Sequence, residues 1–344
     1  MSADPALAVI VVTYDSGACV PGTLAALAPQ LGVDDELLVV DNASSDGTPE
    51  ITRAATPRAR VLETGSNLGF AGGCNAGAAA TDAPLLLFLN PDAKPAPGCL
   101  AALRDAAAAH RDWGAWQALV TLPGGERVNT SGGVTHYLGF GWAGECDAPV
   151  RPGADREVSF ASGAALVVRR EAWERVAGFD ADYFMYAEDV DLSLRLRLAG
   201  YGVGIARAAV VEHDYDFDKG TRKWLLLEVN RWRTVVTDYP TPLLLAVLPV
   251  LLAVELALLP LAAHGGWLRE KLQAQRRVLA ALPLLLRRRA HVQRSRTAST
   301  ATFAAALSAE LDSPYLPRPD GLLGLAFGAQ RLYWQLVRRL IGAA

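Results

Sequence analysis

The sequence predicts an α/β fold, with a mainly parallel sheet that is covered by helices on both faces. Three observations predict it. Short, wholly apolar segments alternate with helical segments over the first 110 residues, polar clusters follow the apolar segments, and apolar and basic segments gather after residue 240. Strands that are apolar throughout are typical of parallel sheets buried on both faces. The C-terminal segments predict an additional helical, membrane-associating region.

Four strands are predicted in the first part of the chain, because each segment is short, apolar and bounded by turn residues. These strands are 7–12, 36–40, 59–63 and 85–89. Helices are predicted between and after these strands at 20–31, 70–80 and 97–110. One more is predicted to begin at a cap formed by Asp46 or Thr48 and to end at residue 55. Further strands are predicted at 164–168 and 201–206.

The segment 192–198 has leucine at every second position, which is the period of a strand. We nevertheless predict a helix here. Leucine and arginine are good helix formers, and Gly200 lies where a helix C-terminal cap belongs.

Composition and charge divide the chain into two predicted domains. Apolar residues make up 51% and charged residues 20% of the 344 residues, which excludes a disordered chain. Residues 264–300 carry nine Lys/Arg and one Glu, so the rest of the chain is acidic although the net charge is only −3. We predict an acidic folded domain at 1–240 and a helical, apolar and basic membrane-associating region at 241–344.

Residues 243–263 hold 18 apolar residues in 21, interrupted by Pro249, Glu255 and Pro260. This length allows a membrane span, whereas the prolines and the carboxylate favour an interfacial or hairpin-like segment. The apolar segment 278–286 continues into Arg287, Arg288 and Arg289, which suits an anionic cytoplasmic membrane surface. The alternative is a helical subdomain that packs on the core and leaves its arginines in water.

The four cysteines lie far apart and form no CxxC pair, and no secretory signal precedes them. We therefore expect a reducing, cytosolic compartment, with the cysteines as small core residues.

The most informative segment is 184–192, in which Glu188, Asp189 and Asp191 lie within four positions. Carboxylates this close repel each other, so a catalytic base, a bound cation or a sugar hydroxyl would explain them. The start of a solvated helix would explain them as well, because acidic residues are favourable in a first helical turn.

Polar clusters follow three of the predicted strands, at 13–15, 41–42 and 90–92. The carboxyl ends of parallel strands meet at one edge of a sheet, where ligands gather. Asp41 there can bind ribose hydroxyls, and Asp92 can hold Mg²⁺ or Mn²⁺ against a diphosphate. Each cluster also fits an ordinary turn or helix cap.

The segment 67–77 places four glycines in nine positions. Glycine lets the backbone approach a ligand closely, but the segment lacks the pattern of a Walker loop or of a dinucleotide fingerprint. Close packing of a helix on the sheet is the alternative. His213 follows a short apolar run, and we weigh a metal-ligand role for it equally against a structural one.

Taken in order, these segments resemble the family 2 glycosyltransferases of the GT-A (Rossmann-like) fold. The resemblance covers about residues 7–215 and rests on the segments 9–14, 41–48, 67–75, 89–92, 162–164, 178–180 and 188–201. Within that family the chain looks most like bacterial rhamnosyltransferase-type enzymes that build cell-surface polysaccharide. The resemblance implies an inverting transfer of a sugar, with rhamnose as the candidate, from a UDP- or dTDP-linked donor to a lipid-linked or surface-polysaccharide acceptor.

The resemblance also implies roles for single residues. Asp189 matches the catalytic base. Asp92 matches the last position of an Asp-x-Asp metal motif whose first position is Asn90 here, and His213 matches a histidine that completes the site for Mg²⁺ or Mn²⁺. The residues implied to bind the nucleotide are Thr13, Tyr14, Asp41, Asn67, Gly69, Asn75 and Asn90. Those predicted to bind the acceptor are Glu188, Ser162 and Gly163.

The predicted location is the cytoplasmic face of the plasma membrane, on an anionic surface, with no nucleic-acid partner and with a homodimer left open. Three alternative functions would each require different residues from those in this sequence or tolerate different substitutions. A sugar-nucleotide pyrophosphorylase needs a basic, Gly-rich loop after the first strand, which residues 13–17 lack. A glycoside hydrolase needs two carboxylates flanking the bond but no nucleotide loops. A catalytically inactive membrane scaffold would tolerate asparagine at position 189.

Overall fold

The structure is a computed structural model that describes residues 5–214, 221–310 and 321–343. The predicted domains 1–240 and 241–344 extend over residues outside these ranges. Within the described residues the chain forms two compact units. The sheet unit comprises 5–133, 143–196 and 201–214, and the helical unit comprises 134–142, 197–200, 221–310 and 321–343. The domain boundary predicted at residue 240 stays a prediction.

The strands are β1 (Leu7–Thr13), β2 (Glu36–Asp41), β3 (Ala59–Glu63), β4 (Leu85–Leu89), β5 (Ala93–Pro95), β6 (Trp113–Thr121), β7 (Val128–Thr130), β8 (Gly133–His136), β9 (Gly141–Ala143), β10 (Arg156–Glu157), β11 (Ala165–Arg169), β12 (Gly202–His213) and β13 (Leu307–Ser308). The first four agree with the predicted strands to within one residue. The strand predicted at 201–206 is longer than expected, because β12 continues to His213 past an irregularity between Ala206 and Val210.

The helices are α1 (Val20–Leu27), α2 (Thr48–Ala55), α3 (Gly69–Ala79), α4 (Cys99–Ala109), α5 (Arg170–Arg175), α6 (Glu188–Leu198), α7 (Thr221–Asp238), α8 (Thr241–His264), α9 (Leu268–Arg294), α10 (Thr300–Ala305) and α11 (Gly321–Leu340). Short 3-10 turns cover Ala28–Gln30 and Ala181–Tyr183. The helix predicted at 20–31 therefore ends early, at Leu27. The choice of a helix over a strand at 192–198 is confirmed.

The main sheet has the order β10-β12-β6-β11-β4-β1-β2-β3, with β5 paired to β12 and β7 to β6. Strands β3, β2, β1 and β4 are parallel, as predicted, and so are β6 and β12. Strand β11 joins these two parallel groups because it pairs antiparallel with both β4 and β6. The sheet is therefore mixed, with its parallel part where the polar strand ends were predicted.

The residues of β1 alternate between two buried cores, one on each face of the sheet. Leu7, Val9 and Val11 pack in one core with residues of α1 and α4. Ala8 and Ile10 pack in the other core with residues of α3 and α6. Both faces being covered is the physical reason for the unbroken apolar run in this strand.

The helical unit contains α7 to α11. Residues of α7 and α9 share a buried apolar cluster that includes Leu225, Val229, Ala274 and Val278. Helix α8 is continuous, although Pro249 and Pro260 lie inside it. Of the helices in the described ranges, α8 alone has the length and apolarity that a bilayer crossing requires, and 22% of its most apolar window is buried.

Candidate functional site

Two loops of the sheet unit, one after β1 and one after β2, are joined by side-chain hydrogen bonds. The Thr13 hydroxyl donates to Oδ1 of Asp41 at 3.0 Å. Ser44 donates to the same carboxylate from its amide at 2.9 Å and from its hydroxyl at 2.5 Å. Asp41 is buried, whereas Tyr14 is 54% exposed. Asp41 therefore shapes the loop through three donors, and its predicted contact with a nucleoside stays a prediction.

The same two loops are connected again farther from the strands. Asp15 accepts from the Ser45 amide at 2.7 Å, and Asp46 accepts from the Gly17 amide at 2.8 Å. Asp46 also accepts from the Thr48 amide at 3.0 Å. The N-cap of α2 is nevertheless Gly47, with no side-chain hydrogen bond, so the cap predicted at Asp46 or Thr48 is wrong. Hydrogen bonds from the Thr48 hydroxyl and the Gly17 amide lower the pKa of Asp46. The predicted convergence of these two polar clusters is confirmed.

The later glycines of α3 allow this helix to lie directly on β1. A Cβ at Gly73 would come within 2.6 Å of Val12 Cγ1, and one at Gly77 within 2.4 Å of Ile10 Cγ2. Real Cβ atoms do not approach other carbons so closely. Close packing, the alternative considered for this segment, therefore accounts for these two glycines.

Gly69 has a different reason to be glycine. Its φ is +71°, and a Cβ there would lie 2.3 Å from the carbonyl oxygen of Phe184. Its amide donates to Oδ1 of Asn67 at 2.9 Å, and its carbonyl accepts from Asn42 at 2.9 Å. The Phe184 carbonyl in turn accepts from the Ala71 amide at 3.2 Å. The glycine-rich loop thus lies against the segment that leads to the acidic cluster.

Asn75, predicted to bind the nucleotide, makes two hydrogen bonds to one backbone residue. Its amide nitrogen donates to the Phe179 carbonyl at 2.9 Å, and its amide oxygen accepts from the Phe179 N–H at 3.1 Å. The side chain therefore supports the segment before the acidic cluster. A nucleotide contact for Asn75 stays a prediction.

Asn90, Asp92 and His213 come together at the end of β4. Their proximity follows from the pairing of β5 with β12, which sets Ala93 opposite His213. His213 Nε2 lies 3.1 Å from Oδ1 of Asp92 and 3.2 Å from Nδ2 of Asn90. His213 is buried, and the Asp92 side chain is 33% exposed.

Carboxylate oxygen and imidazole nitrogen are both ligands that Mn²⁺ accepts, so the two predicted metal residues fit such an ion. Among the described residues, no group of three or more His, Cys, Asp or Glu side chains is arranged to hold a metal. Asp92 and His213 would thus leave most coordination positions to water or to a diphosphate.

The backbone before α6 is unusual. Phe184, Tyr186 and Ala187 have φ values of +62°, +69° and +62°, in the left-handed region. Each such residue costs on the order of 1–3 kcal/mol and persists only where its surroundings fix it. This segment directly precedes Glu188 and Asp189, so the strain is concentrated beside the acidic cluster.

Asp189 occupies the first turn of α6 and is held by backbone amides. Gly163 donates to its Oδ2 at 3.0 Å, and Val190 donates to its Oδ1 at 2.8 Å. Burial raises the pKa of Asp189, and these two N–H groups oppose that rise. Ser162, next to Gly163, donates its own amide to Gln117 at 2.8 Å. The structure therefore brings one predicted acceptor residue, Gly163, to the predicted base, and Ser162 is its neighbour in the chain.

Glu188 is buried, and no described residue forms a hydrogen bond with its Oε2. Burial and the charges of Asp189 and Asp191 raise the pKa of Glu188 to about 8. Its charge raises the pKa values of Cys74 and Tyr186 as well, after the effect of their own burial. Glu188 therefore lies near Cys74 of α3, and its predicted contact with the acceptor stays a prediction.

Asp191 forms a buried ion pair with Arg195, with 2.5 Å between Oδ2 and Nη2. Arg195 also donates to the carbonyls of Val176 and Gly178, at 2.6 and 2.8 Å. Sequence reasoning missed Arg195, although its i,i+4 spacing from Asp191 on a predicted helix was the available signal. Asp191 is therefore structural, as the helix-start alternative suggested, but through an ion pair.

The pKa of Glu188 predicts how stability changes with pH. The folded state keeps the Glu188 proton up to about pH 8, whereas the unfolded chain loses it near the ordinary value of 4.5. Between these values the folded state binds more protons, so stability falls as pH rises. We expect Glu188→Gln to flatten this decline by up to about 1.4 kcal/mol per pH unit. Urea unfolding from pH 5 to 8 measures the slope.

Glu126→Gln is the matched control, because Glu126 is exposed. It should leave the slope unchanged. Equal slopes for wild type and Glu188→Gln would show that Glu188 titrates normally in the folded protein.

Comparison with known proteins agrees with this geometry. The model of the family described as "Glycosyl transferase family 2" matches residues 8–176. A relative from Mycobacterium tuberculosis, named N-acetylglucosaminyl-diphospho-decaprenol L-rhamnosyltransferase, is 35% identical over 211 residues, which cover 54% of this chain and 68% of the relative.

Solved structures with similar folds share less sequence. S. aureus TarS 1–349 in complex with UDP-GlcNAc gives a TM-score of 0.56 at 16% identity. The match covers 97% of this chain and 90% of the TarS chain. The mannosyltransferase PcManGT from Pyrobaculum calidifontis, in complex with GDP-Man and Mn²⁺, gives 0.51 at 20% identity and covers 86% of each chain. GalNAc-T7 with UDP, GalNAc and Mn²⁺ gives a TM-score of 0.57 at 14% identity. The match covers 70% of this chain and 49% of the GalNAc-T7 chain. The predicted GT-A fold is confirmed.

Proposed function

The chain belongs to glycosyl transferase family 2 and is a glycosyltransferase, and from this premise we propose that it moves a sugar from a nucleotide diphosphate donor to a lipid-linked saccharide. The donor nucleotide is UDP or dTDP, and rhamnose is the candidate sugar. The relative named as an L-rhamnosyltransferase of a diphospho-decaprenol acceptor supports both choices. The observation that carries the proposal is the position of Asp189, held by Gly163 in the sheet unit that also brings Asp92 and His213 together.

The donor nucleotide is proposed to bind at the carboxyl ends of β1, β2 and β4. The exposed ring of Tyr14 and the loop of Asp41 would hold the nucleoside, and the Asn67–Gly69 turn would lie along it. The remaining proposed nucleotide contacts are Thr13, Asn75 and Asn90. Polar loops at strand ends are the usual ligand position in open α/β sheets.

Asp92 and His213 are proposed to hold Mg²⁺ or Mn²⁺ against the diphosphate. The bound cation would neutralise the negative charge that develops on the leaving diphosphate. The Asp92 carboxylate is partly exposed and lies 3.1 Å from the buried His213 ring, which supports this role. Asn90, in the first position of the motif, adds an amide without adding charge.

Asp189 is proposed as the general base of an inverting, single displacement. It accepts the proton of the acceptor hydroxyl while that oxygen forms a bond to the anomeric carbon and the bond to the diphosphate oxygen breaks. The amides of Gly163 and Val190 orient its carboxylate. Glu188, Ser162 and Gly163 are the proposed acceptor side of the site.

The enzyme is proposed to act at the cytoplasmic face of the plasma membrane, with the helical unit next to an anionic lipid surface. The apolar α8 and the basic α9 support this location. No nucleic-acid partner is proposed, and a homodimer stays a prediction. The rival functions, a sugar-nucleotide pyrophosphorylase or an inactive scaffold, do not explain the amide-bound Asp189.

Turnover with a panel of sugar nucleotides tests the proposal. We expect one UDP- or dTDP-linked sugar to be transferred to a diphospho-polyprenol carrying N-acetylglucosamine, with inverted anomeric configuration in the product by NMR. Formation of a sugar nucleotide from a sugar phosphate and NTP would favour the pyrophosphorylase. Nucleotide binding without any transfer across the panel would favour the scaffold.

A further inference from the structure

We infer that the helical unit docks on an anionic phospholipid membrane through one exposed face made by α8, α9 and α11, and that α8 lies along this surface without crossing the bilayer. The inference rests on the proposed use of a lipid-linked acceptor and adds the surface that would meet the lipid. It distinguishes between the two positions that the sequence left open for residues 243–263.

The first observation is the ion cluster that holds Glu255, in the middle of α8. Glu255 contacts Arg231 of α7, and its other oxygen lies 2.5 Å from Lys271 Nζ of α9. Lys271 and Arg231 also contact Glu228, at 2.5 and 2.9 Å. The four side chains are between 0% and 15% exposed. Buried ion pairs thus connect α8 to α7 and to α9.

This cluster opposes a membrane-spanning position for α8. Removing one partner from a buried ion pair leaves an uncompensated charge, which is strongly unfavourable. If α8 crossed the bilayer with its pairs intact, α9 would have to enter the hydrocarbon as well. Helix α9 carries Arg276, Arg277 and the run 287–289, and such a helix is not stable in lipid.

The second observation is the chemistry of the opposite, outward face of α8. Leu243, Val247 and Leu251 are buried at intervals of four residues on the inner face. The leucines exposed on the opposite side of this helix, at 51–69% exposure, are Leu245, Leu252 and Leu256. The helix is therefore apolar on both sides, and its outer side has no cover from the described residues of its unit.

The third observation is that α9 and α11 carry similar outward stripes. On α9, Leu272, Leu279 and Leu286 are exposed at intervals of seven residues. On α11 the exposed leucines are Leu325, Leu332, Leu336 and Leu340. Helix α11 is joined to α8 by a hydrogen bond of 2.5 Å from the Tyr333 hydroxyl to the Ala246 carbonyl.

The exposed arginines of α9 and α11 indicate that this face binds an anionic membrane. Arg276 of α9 is exposed one turn after Leu272 on the same side of the helix, and Arg287 and Arg339 are exposed next in sequence to Leu286 of α9 and Leu340 of α11. Leucines interspersed with arginines are typical of helices that lie in the headgroup region of anionic membranes. Residues 264–300 carry nine Lys/Arg against one Glu, and this positive charge is attracted to an anionic lipid surface.

Co-sedimentation of the full-length protein with phosphatidylglycerol/phosphatidylcholine vesicles tests the docking face. We expect Leu252→Gln with Leu256→Gln to weaken vesicle binding about tenfold. Arg276→Gln with Arg287→Gln should weaken binding to anionic vesicles by about tenfold or more and leave the weak binding to neutral vesicles unchanged. Val33→Gln, which changes a 93% exposed valine in the sheet unit, is the matched control and should bind like wild type.

The position of α8 is tested by labelling its two ends. In a background with Cys19→Ser and Cys146→Ser, Pro242→Cys and Ala263→Cys are exposed positions for a membrane-impermeant maleimide. Both should label in membrane vesicles whose cytoplasmic face is outward. Labelling of only one of them would show that α8 crosses the bilayer and would overturn the inference.

Turnover with a water-soluble acceptor analogue separates this inference from the proposed function. The leucine variants should keep wild-type turnover in that assay. If they bind vesicles as the Val33→Gln control does, the docking face is wrong while the glycosyltransferase proposal stands. If they lose vesicle binding while no protein transfers sugar, the docking face stands and the proposed substrates are wrong.

Discussion

Replacing Asp189 with asparagine is expected to lower the rate of sugar transfer by about 10²–10⁴-fold, the usual contribution of a general base. Asparagine keeps one oxygen, which can accept the Gly163 amide at the position of Oδ2, but its NH2 group cannot accept from the Val190 amide as Oδ1 does. The loss of one hydrogen bond costs about 1 kcal/mol, so the first turn of α6 should stay folded. Binding of the nucleotide should change little, because the donor residues lie on other segments. Single-turnover kinetics and calorimetric nucleotide binding measure the two effects separately.

Two other acidic residues give controls for this substitution. Asp182→Asn makes the same chemical change at an exposed turn position and should leave the rate unchanged. Asp191→Asn breaks the buried pair with Arg195 and should lower the free energy of unfolding by about 3–5 kcal/mol. Full turnover by Asp189→Asn, or a loss of stability as large as that of Asp191→Asn, would contradict the assignment of the base.

Replacing Asp92 with alanine is expected to abolish the effect of Mn²⁺ on nucleotide binding. Asp92 places a charged oxygen 3.1 Å from His213 Nε2, whereas Asn90, 3.2 Å from the same nitrogen, carries no charge. We expect the Kd for the nucleotide in Mn²⁺ to rise about tenfold or more, to the value measured with a chelator. Titration calorimetry with and without Mn²⁺ gives both values.

Asp82→Ala removes an exposed carboxylate from the loop before β4 and is the control for charge alone. It should bind the nucleotide as wild type does, in Mn²⁺ and in chelator. If Asp92→Ala still gains affinity from Mn²⁺ to the same extent as the control, the metal is held by other groups and the proposed roles of Asp92 and His213 are wrong.

The parallel part of the fold was predictable because its signals are local. Each of β1 to β4 is a short apolar run, and a polar cluster marks the ends of β1, β2 and β4. The antiparallel β11 could be predicted as a strand, but its place between β4 and β6 depends on a long-range pairing that no local pattern encodes. The strand predicted at 201–206 was too short for the same reason, because the second half of β12 pairs with the distant β5.

The residues of the candidate site were predictable, but their partners were not. Asp41 stood out as a polar residue at a strand end and Asn75 as part of the glycine-rich segment, whereas the structure binds them to Ser44 and to the Phe179 backbone. Side chains of this kind satisfy backbone groups as readily as they bind ligands. The distinction depends on which backbone groups come within 3 Å, and that requires the tertiary structure.

The contact between Gly69 and Phe184 joins two motifs that are more than 100 residues apart in the chain. Any side chain at position 69 would push the Phe184 carbonyl, and with it the strained residues that set the start of α6. Substitutions in the two segments should therefore be non-additive, since they share one contact. If this enzyme acquired a new donor preference through substitutions in the glycine-rich loop, we expect compensating substitutions in the segment before Asp189. The two segments should therefore coevolve.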